Sequence, residues 1–190
     1  MKTLYTKIIS GFCILISAAI IAACSSSLSY NEALQKNYGR VDPENHNDAK
    51  FLVDAASYNL LATRLAEAAI NSGYSASIVA LAKENLELHE DMGQELKNLA
   101  RKEKMVLPAE MNDSHQALLT ELTSSDRREF DRNYVRILRS VSEEDSQKFS
   151  QMATEAKSEE IRAFAARKLD VFKSHESELQ TVDAELLKTY

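Results

Sequence analysis

Two histidines lie on the apolar faces of separate predicted helices, where an imidazole ring could bind a metal ion. His89 falls near the middle of the second long apolar stripe, and His175 falls past the middle of the fourth. In an antiparallel bundle the two rings could meet, and Glu144 or Asp145 on the third stripe could add a carboxylate. These four side chains are therefore the candidate ligands of a divalent transition metal, in a metal-binding or redox bundle.

The spacing around the histidines favours a second interpretation. Bundles that hold two metal ions between carboxylates use Glu-x-x-His, because positions three apart share one face of a helix. Leu86 stands three positions before His89 and Phe172 three positions before His175, so neither motif is present. The alternative is a polar core layer, in which both histidines are hydrogen-bonded beside Asn85 and no cofactor is bound.

The sequence patterns of common enzyme classes are missing. Gly-rich phosphate loops, Gly-x-Ser-x-Gly and His-Glu-x-x-His do not occur in the sequence. Each of these patterns supplies a geometry that its chemistry requires. We therefore expect a protein that is not an enzyme.

A further residue with chemistry of its own is Cys24, at the end of a predicted export signal. Lys2 and Lys7 form a short positive region, and residues 8–21 then run almost wholly apolar. Such a run spans about 21 Å as a helix, which is short of the roughly 30 Å hydrocarbon core of a bilayer. The stretch 21–24, Ile-Ala-Ala-Cys, resembles the bacterial lipobox, in which a peptidase cleaves before the cysteine and the thiol accepts a diacylglycerol.

This resemblance predicts a signal peptide over residues 1–23 and a mature chain that begins with lipidated Cys24. An ordinary secretory signal with an incidental cysteine is the alternative. Two or three acyl chains would anchor the protein stably to a membrane of the cell envelope. Because Ser25 rather than aspartate follows the cysteine, the sorting rule of diderm bacteria implies the outer membrane.

The mature chain is acidic and has no internal disulfide. Cys13 leaves with the signal, so Cys24 is the one remaining cysteine. The two lysines of the signal leave as well, and 21 basic against 29 acidic residues then give a formal charge of −8. An acidic surface disfavours nucleic acid and anionic lipid as partners. The expected partners are the membrane, through the lipid, and a second envelope protein.

Residues 24–46 are predicted to form a flexible tether. Three serines open this segment, and its polar remainder contains Gly39 and Pro43 without a sustained helical stripe. A flexible chain of about 22 residues has a root-mean-square reach of roughly 25 Å. We therefore expect the folded domain, residues 47–190, to stand away from the bilayer.

Four long amphipathic helices are predicted in that domain, because apolar residues recur at alternating spacings of three and four. The first ends at residues 71–73, the third runs from about Ser125 to Ala156, and the fourth begins near Ser158. A capping box at residues 113–116 predicts a short helix through Leu122. The predicted inward positions are Phe51, Ala55, Tyr58, Ala62, Leu65 and Ala69 in the first helix; Ile78, Ala82, Met92, Leu96 and Leu99, with Leu81 and Leu88 widening the stripe, in the second; Phe130, Tyr134, Ile137, Val141, Phe149 and Met152 in the third; and Ile161, Phe164, Leu169, Phe172, Leu179, Val182 and Leu186 in the fourth.

Short connections within the first and last pairs make the paired helices antiparallel. The predicted fold is an all-α, antiparallel four-helix bundle with a short extra helix in the long central connection. Residues 142–145 interrupt the apolar stripe of the third helix. This interruption is either a polar core layer or a solvated turn.

The order and spacing of several landmarks resemble the ferritin-like family called domain of unknown function 4142, whose members are often described as exported or outer-membrane proteins. The resemblance covers nearly all of residues 48–182. The landmarks are Asp48-Ala49-Lys50-Phe51 with Ala55-Ala56, Leu81-Ala82 leading to His89, Leu96, Leu107-Pro108-Ala109-Glu110, His115-Gln116, Phe130-Asp131 with Tyr134, and Phe164-Ala165-Ala166 leading to Leu169 and His175.

The resemblance implies a ferritin-like bundle with an interior cluster of histidines and a glutamate, which has been proposed as a metal site. Carried over by position, His89 and His175 match two members of this cluster. The glutamate of the first helix falls on Ala62, and the histidine of the third helix falls on Ser142. Two of the four ligand positions therefore hold other residues in this chain.

Overall fold

The computed structural model describes residues 27–189, with side chains through residue 186. The predicted signal peptide and Cys24 lie outside these residues. Within this part of the chain there are no strands, and no helix is both long and apolar enough to cross a membrane. The elements are α1 (Tyr30–Tyr38), a 3₁₀ turn (Pro43–Asn45), α2 (His46–Ser72), α3 (Ala76–Lys102), α4 (Asp113–Thr123), α5 (Phe130–Glu155) and α6 (Glu159–Thr189).

The four long helices that periodicity predicts are present as α2, α3, α5 and α6, and the structure confirms an all-helical bundle. Every predicted inward position is buried except Leu88 and Leu169, which are half-buried. Residues 142–145 stay helical; Ser142 and Asp145 are buried and the two glutamates between them are exposed. The interruption is therefore a polar core layer and not a solvated turn.

The predicted short helix is present as α4, but its capping residue and the start of α5 differ from the prediction, because local hydrogen bonds select other residues. The short helix α4 is capped by Asn112, whose side chain accepts the backbone N–H of His115 at 2.8 Å, so the cap lies one residue before the predicted box. Helix α5 begins at Phe130 and not near Ser125. The intervening residues form a turn in which the N–H of Glu129 bonds to the carbonyl of Asp126 at 2.9 Å.

The prediction of a flexible tether over residues 24–46 is wrong for most of that segment. Ser29 and Glu32 form a reciprocal capping box that starts α1, and Ala33 and Asn37 are fully buried against the bundle. The amide of Asn37 bonds to both the carbonyl and the N–H of Val106, at 2.9 and 2.8 Å. These contacts are long-range, so no helical stripe in the segment itself could have indicated them.

The long helices associate as two hairpins, α2 with α3 and α5 with α6, and α2 also packs along α5. A buried aspartate of each hairpin caps the turn of the other. Asp131 accepts the N–H groups of residues 74 and 75 at 2.9 and 2.8 Å, and Asp48 accepts those of residues 157 and 158 at 3.0 and 2.7 Å. Each carboxylate thus lies at a helix N-terminus, where the helix dipole favours negative charge.

These reciprocal caps belong to an internal repeat. Asp48 and Asp131 are 83 residues apart (131 minus 48), and so are Ser75 and Ser158, whose hydroxyls cap α3 and α6. The buried positions of α3 and α6 follow the same offset. The matched pairs include Ile78 and Ile161, Leu81 and Phe164, Ala82 and Ala165, Met92 and His175, Leu96 and Leu179, and Leu99 and Val182.

Candidate functional site

A polar layer crosses the apolar interior of the bundle, and His89 of α3 is its most enclosed member. The side chain is fully buried, and its Nδ1 atom lies 3.2 Å from the amide oxygen of Asn59 on α2. The ring of Tyr58 stands edge-on to the imidazole, with 5.3 Å between ring centroids. Helix α3 brings His89 here because the residue falls on the same stripe as the apolar positions that pack against α2.

The hydrogen bond to Asn59 fixes the tautomer of His89. An amide oxygen can only accept, so Nδ1 carries the proton and Nε2 presents a lone pair. Burial lowers the pKa of His89 to about 3, with a smaller contribution from His175, so the ring is neutral at pH 7. The Nε2 atom is buried and has no hydrogen-bond partner.

His175 of α6 is the second histidine of the layer. The residue is buried, and its Nε2 atom also lacks a partner. Burial lowers the pKa of His175, while the charge of Glu84 on α3 acts in the opposite direction. Because each imidazole is neutral, each ring retains one nitrogen lone pair.

The remaining members of the layer form pairs between hairpins. The amide of Asn85 donates to the hydroxyl of Tyr134 at 3.0 Å, and the hydroxyls of Tyr58 and Ser142 lie 3.4 Å apart. Each pair joins a residue of one hairpin to a residue of the other. A groove of about 170 Å³ between α5 and α6 reaches this layer from solvent, and its lining includes Ser142 and Phe172.

The two predicted carboxylate ligands face Lys148 instead of the histidines. Lys148 lies 2.9 Å from Glu144, which is largely exposed, and 3.4 Å from the buried Asp145. Burial raises the pKa of Asp145 to about 7, against the opposing effect of Lys148. The structure does not bring His89, His175 and the two acids together as one ligand set, and residues 27–186 contain no group of three or more His, Cys, Asp or Glu side chains placed to hold a metal ion.

One residue of the layer, Asn59, was not predicted from the sequence. Asn59 sets the tautomer of His89, yet it falls beside the apolar stripe of α2 rather than on it. Gly93 is the one signal of this arrangement, because a Cβ atom there would lie 2.9 Å from the amide nitrogen of Asn59. A glycine inside a long helix indicates such a close approach, although it does not identify the neighbour.

A third buried histidine has a structural role. The Nδ1 atom of His115 lies 2.7 Å from the hydroxyl of Ser57, which also accepts the backbone N–H of Asn112 at 2.9 Å. Burial is the main cause that lowers the pKa of His115. The resulting chain of hydrogen bonds fastens the start of α4 to the middle of α2.

A comparison with known protein families assigns the domain. The family described as Domain of unknown function (DUF4142) matches residues 36–182. The chain belongs to this family. The DUF4142 match begins inside α1, twelve residues before the predicted start at residue 48 (48 minus 36), which agrees with the packing of α1 on the bundle. No curated protein and no solved structure matches the chain.

The DUF4142 domain departs from the ligand pattern that the resemblance implied. Ala62 is buried on α2 and has no polar atom in its side chain, and Ser142 contacts Tyr58 instead of a histidine. What remains is a pair of neutral imidazoles. A zinc site of the usual kind needs at least three protein ligands, so this set does not fit one.

Proposed function

We propose that this DUF4142 chain is a cell-envelope lipoprotein, anchored to a membrane through lipid on Cys24, whose folded domain binds or supports another envelope component and is not an enzyme. The observation that carries the proposal is the lipobox at residues 21–24, at the end of the apolar run of an export signal. Serine at position 25 supports the outer membrane as the destination. The acidic charge disfavours nucleic acid as a partner.

The lipidation requires two bond changes at Cys24. The sulfur atom forms a thioether to the diacylglyceryl carbon of a phospholipid, and the phosphate headgroup leaves with the thiol proton. A peptidase then hydrolyses the amide bond between Ala23 and Cys24, which frees the cysteine amine for a further acyl chain. Two or three chains make the anchoring stable, whereas one chain binds only marginally.

For the domain we propose a ferritin-like, antiparallel four-helix bundle. Its support is the length of the four helices, 26 to 31 residues, together with the short turns at residues 73–75 and 156–158. Long helices joined by such turns lie side by side in opposite directions. The 83-residue repeat adds to this support, because it relates one hairpin to the other.

A non-catalytic role is supported by the enclosure of the polar layer. His89 is fully buried, and its neighbours Tyr58, Asn85 and Tyr134 are buried as well. The groove between α5 and α6 reaches Ser142 and Phe172, but its lining does not include any of these four side chains. Their hydrogen bonds instead join the two hairpins, which is a common use of buried polar groups.

The second candidate is a metal-binding or redox bundle. It is favoured by the Nε2 atoms of His89 and His175, which are buried, unpartnered and held in the neutral form that binds metals. The lack of a third protein ligand among the described residues places this candidate second.

One substitution tests the anchoring. Cys24→Ala should leave the precursor uncleaved by the lipoprotein peptidase and unlabelled by a radioactive fatty acid, while the wild-type chain is cleaved and labelled. Cys13→Ala, inside the signal, is the matched control and should behave as wild type. A Cys24→Ala chain that is still cleaved and acylated would overturn the proposal.

Elemental analysis separates the two candidates. The acylated, tag-free protein should contain no stoichiometric zinc, iron, manganese or copper after purification without chelators. A molar equivalent of metal that disappears in both His89→Phe and His175→Met would establish the second candidate in place of the first.

A further inference from the structure

The packing of α1 shortens the chain between the lipid and the domain. The carbonyl of Leu28 accepts the N–H of Ala109 at 2.8 Å, and the capping box of Ser29 follows at once. Only residues 25–27 separate Leu28 from Cys24. Four Cα steps reach at most about 14 Å when fully extended. The headgroup layer takes up roughly 5 to 8 Å of this length, so Leu28 lies at the membrane surface.

Leu28 lies beside the middle of the bundle and not at one of its ends. Tyr30 donates its hydroxyl to Asp54, and the neighbouring connection reaches Ser57 through the N–H of Asn112. Helix α2 runs from residue 46 to residue 72 and is about 40 Å long. Residues 54–57 therefore lie roughly 12 to 17 Å from its start.

The same side of the bundle carries both short helices. Helix α1 packs on α2, and α4 packs on α2 and α5, whereas α3 and α6 contact each other on the far side. An open pocket of about 410 Å³ lies between the starts of α1 and α4, and Asn31, Met111 and Ser114 are among its lining residues. The exposed residues Glu110 and Asp113 make this face acidic, so it has no charge attraction for anionic lipid.

From these observations we propose that the face formed by α1, the connection 103–112 and the start of α4 rests on the lipid bilayer, with the bundle lying broadside to the membrane. The inference depends on the proposed lipidation of Cys24. The occupant of this face is the phospholipid headgroup surface that holds the acyl chains, and the short tether imposes the contact. The α3 and α6 face is then directed away from the bilayer and is the side open to a partner.

Fluorescent labels on single introduced cysteines test this orientation, because acylated Cys24 is blocked and no other cysteine remains in the mature chain. The acylated protein is reconstituted into phosphatidylcholine vesicles that contain a nitroxide on a fraction of the headgroups. Asn31→Cys places the label on the proposed membrane face, and Ser174→Cys places it on exposed α6. Ser72→Cys and Lys157→Cys label the two ends of the bundle.

Quenching at Asn31→Cys should exceed quenching at Ser174→Cys several-fold, and the two end labels should be quenched about equally. Equal quenching at positions 31 and 174, or strong quenching at one end alone, in protein that floats with the vesicles would overturn the orientation while leaving the anchor intact. Failure of all variants to float with the vesicles would instead overturn the lipidation on which the inference rests.

A longer tether is the matched control. About 20 Gly and Ser residues inserted between Ser26 and Ser27 add a reach of roughly 25 Å. The insertion should abolish the difference between positions 31 and 174 while the protein still floats. A difference that persists in full would show that the tether length does not hold this face to the membrane.

Discussion

The hairpin of α2 and α3 and the hairpin of α5 and α6 have the same framework residues but different side chains where they meet in the interior. Their capping aspartates, capping serines and most apolar positions coincide at an offset of 83 residues. The polar layer does not follow this repeat. The matched interior pairs are Asn59 and Ser142, Ala62 and Asp145, His89 and Phe172, and Met92 and His175.

The shared positions are those that folding of each hairpin requires, whereas the positions that differ belong to the polar layer. A hairpin of this kind needs its turn capped and its apolar stripe buried, and both hairpins meet these needs in the same way. Each of the two histidines of the polar layer has an apolar residue as its counterpart in the other hairpin: Phe172 for His89 and Met92 for His175. The fold therefore accommodates Phe or Met at these positions, and the histidines are particular to one hairpin each.

The largest effect is expected for Phe172, the counterpart of His89. Its ring packs edge-on against Phe149 at 4.9 Å, so Phe172→Ala should cost about 3 to 5 kcal/mol of unfolding free energy. His89→Phe, which copies the other hairpin, should cost no more than about 1 to 2 kcal/mol, because mainly the bond to Asn59 is lost. Urea unfolding followed by circular dichroism measures both. Equal costs would contradict the distinction between the two positions.

The two capping aspartates should have similar effects. Asp48→Ala and Asp131→Ala each remove a carboxylate that accepts two backbone N–H groups, and each should cost about 1.5 to 3 kcal/mol. The caps lie at opposite ends of the bundle, so the double variant should show the sum of the two costs. The asparagine variants, which keep one acceptor oxygen, are the controls. A large loss of unfolding free energy at only one of the two aspartates would contradict the equivalence of the two caps.

His89 should make the domain less stable in acid. The pKa of His89 is about 3 in the folded state and 6.5 in the unfolded chain, so only the unfolded chain binds this proton as the pH falls below 6.5. Stability is therefore lost between pH 6.5 and 3, by about 2 kcal/mol from pH 7 to pH 5. His89→Phe should flatten this part of the curve in urea titrations at each pH. An unchanged acid slope would contradict the buried, neutral state of His89.

Asp145, the counterpart of Ala62, should act in the opposite direction. Its pKa is about 7 in the folded state and 3.8 in the unfolded chain, so the folded state retains a proton that the unfolded chain releases as the pH rises. Stability falls between pH 4 and pH 7, and Asp145→Asn should remove most of this decline. The exposed neighbour supplies the control, since Glu144→Gln should leave the slope in place.

The smallest net effect is expected at Gly93, whose counterpart is Glu176. Gly93→Ala gains about 1 kcal/mol of helix propensity but displaces Asn59 from His89, which offsets the gain. The double variant Asn59→Ser/Gly93→Ala places at position 59 the residue type of its counterpart Ser142, and it keeps the gain in helix propensity. The imidazole nitrogen shifts of His89 in NMR spectra should change in both variants. An unaltered His89 signal in Gly93→Ala would show that Asn59 does not set its tautomer.

The sequence by itself determined the long helices and their buried faces. Apolar periodicity reports which side of a helix avoids water, and this property is local, so positions such as Phe51 and Leu179 are predicted correctly. It also placed His89 and His175 on inward faces. Both the DUF4142 family and the all-helical fold follow from these patterns together.

Only the tertiary structure decided which polar groups meet. The bond of Asn59 to His89, the bond of Asn85 to Tyr134 and the docking of α1 each join residues from different elements. Such contacts depend on the rotation and register of packed helices, which a periodicity of 3.6 residues does not specify. For the same reason the 24–46 segment appeared as a tether in the sequence, although most of it is folded against α2 and the connection after α3.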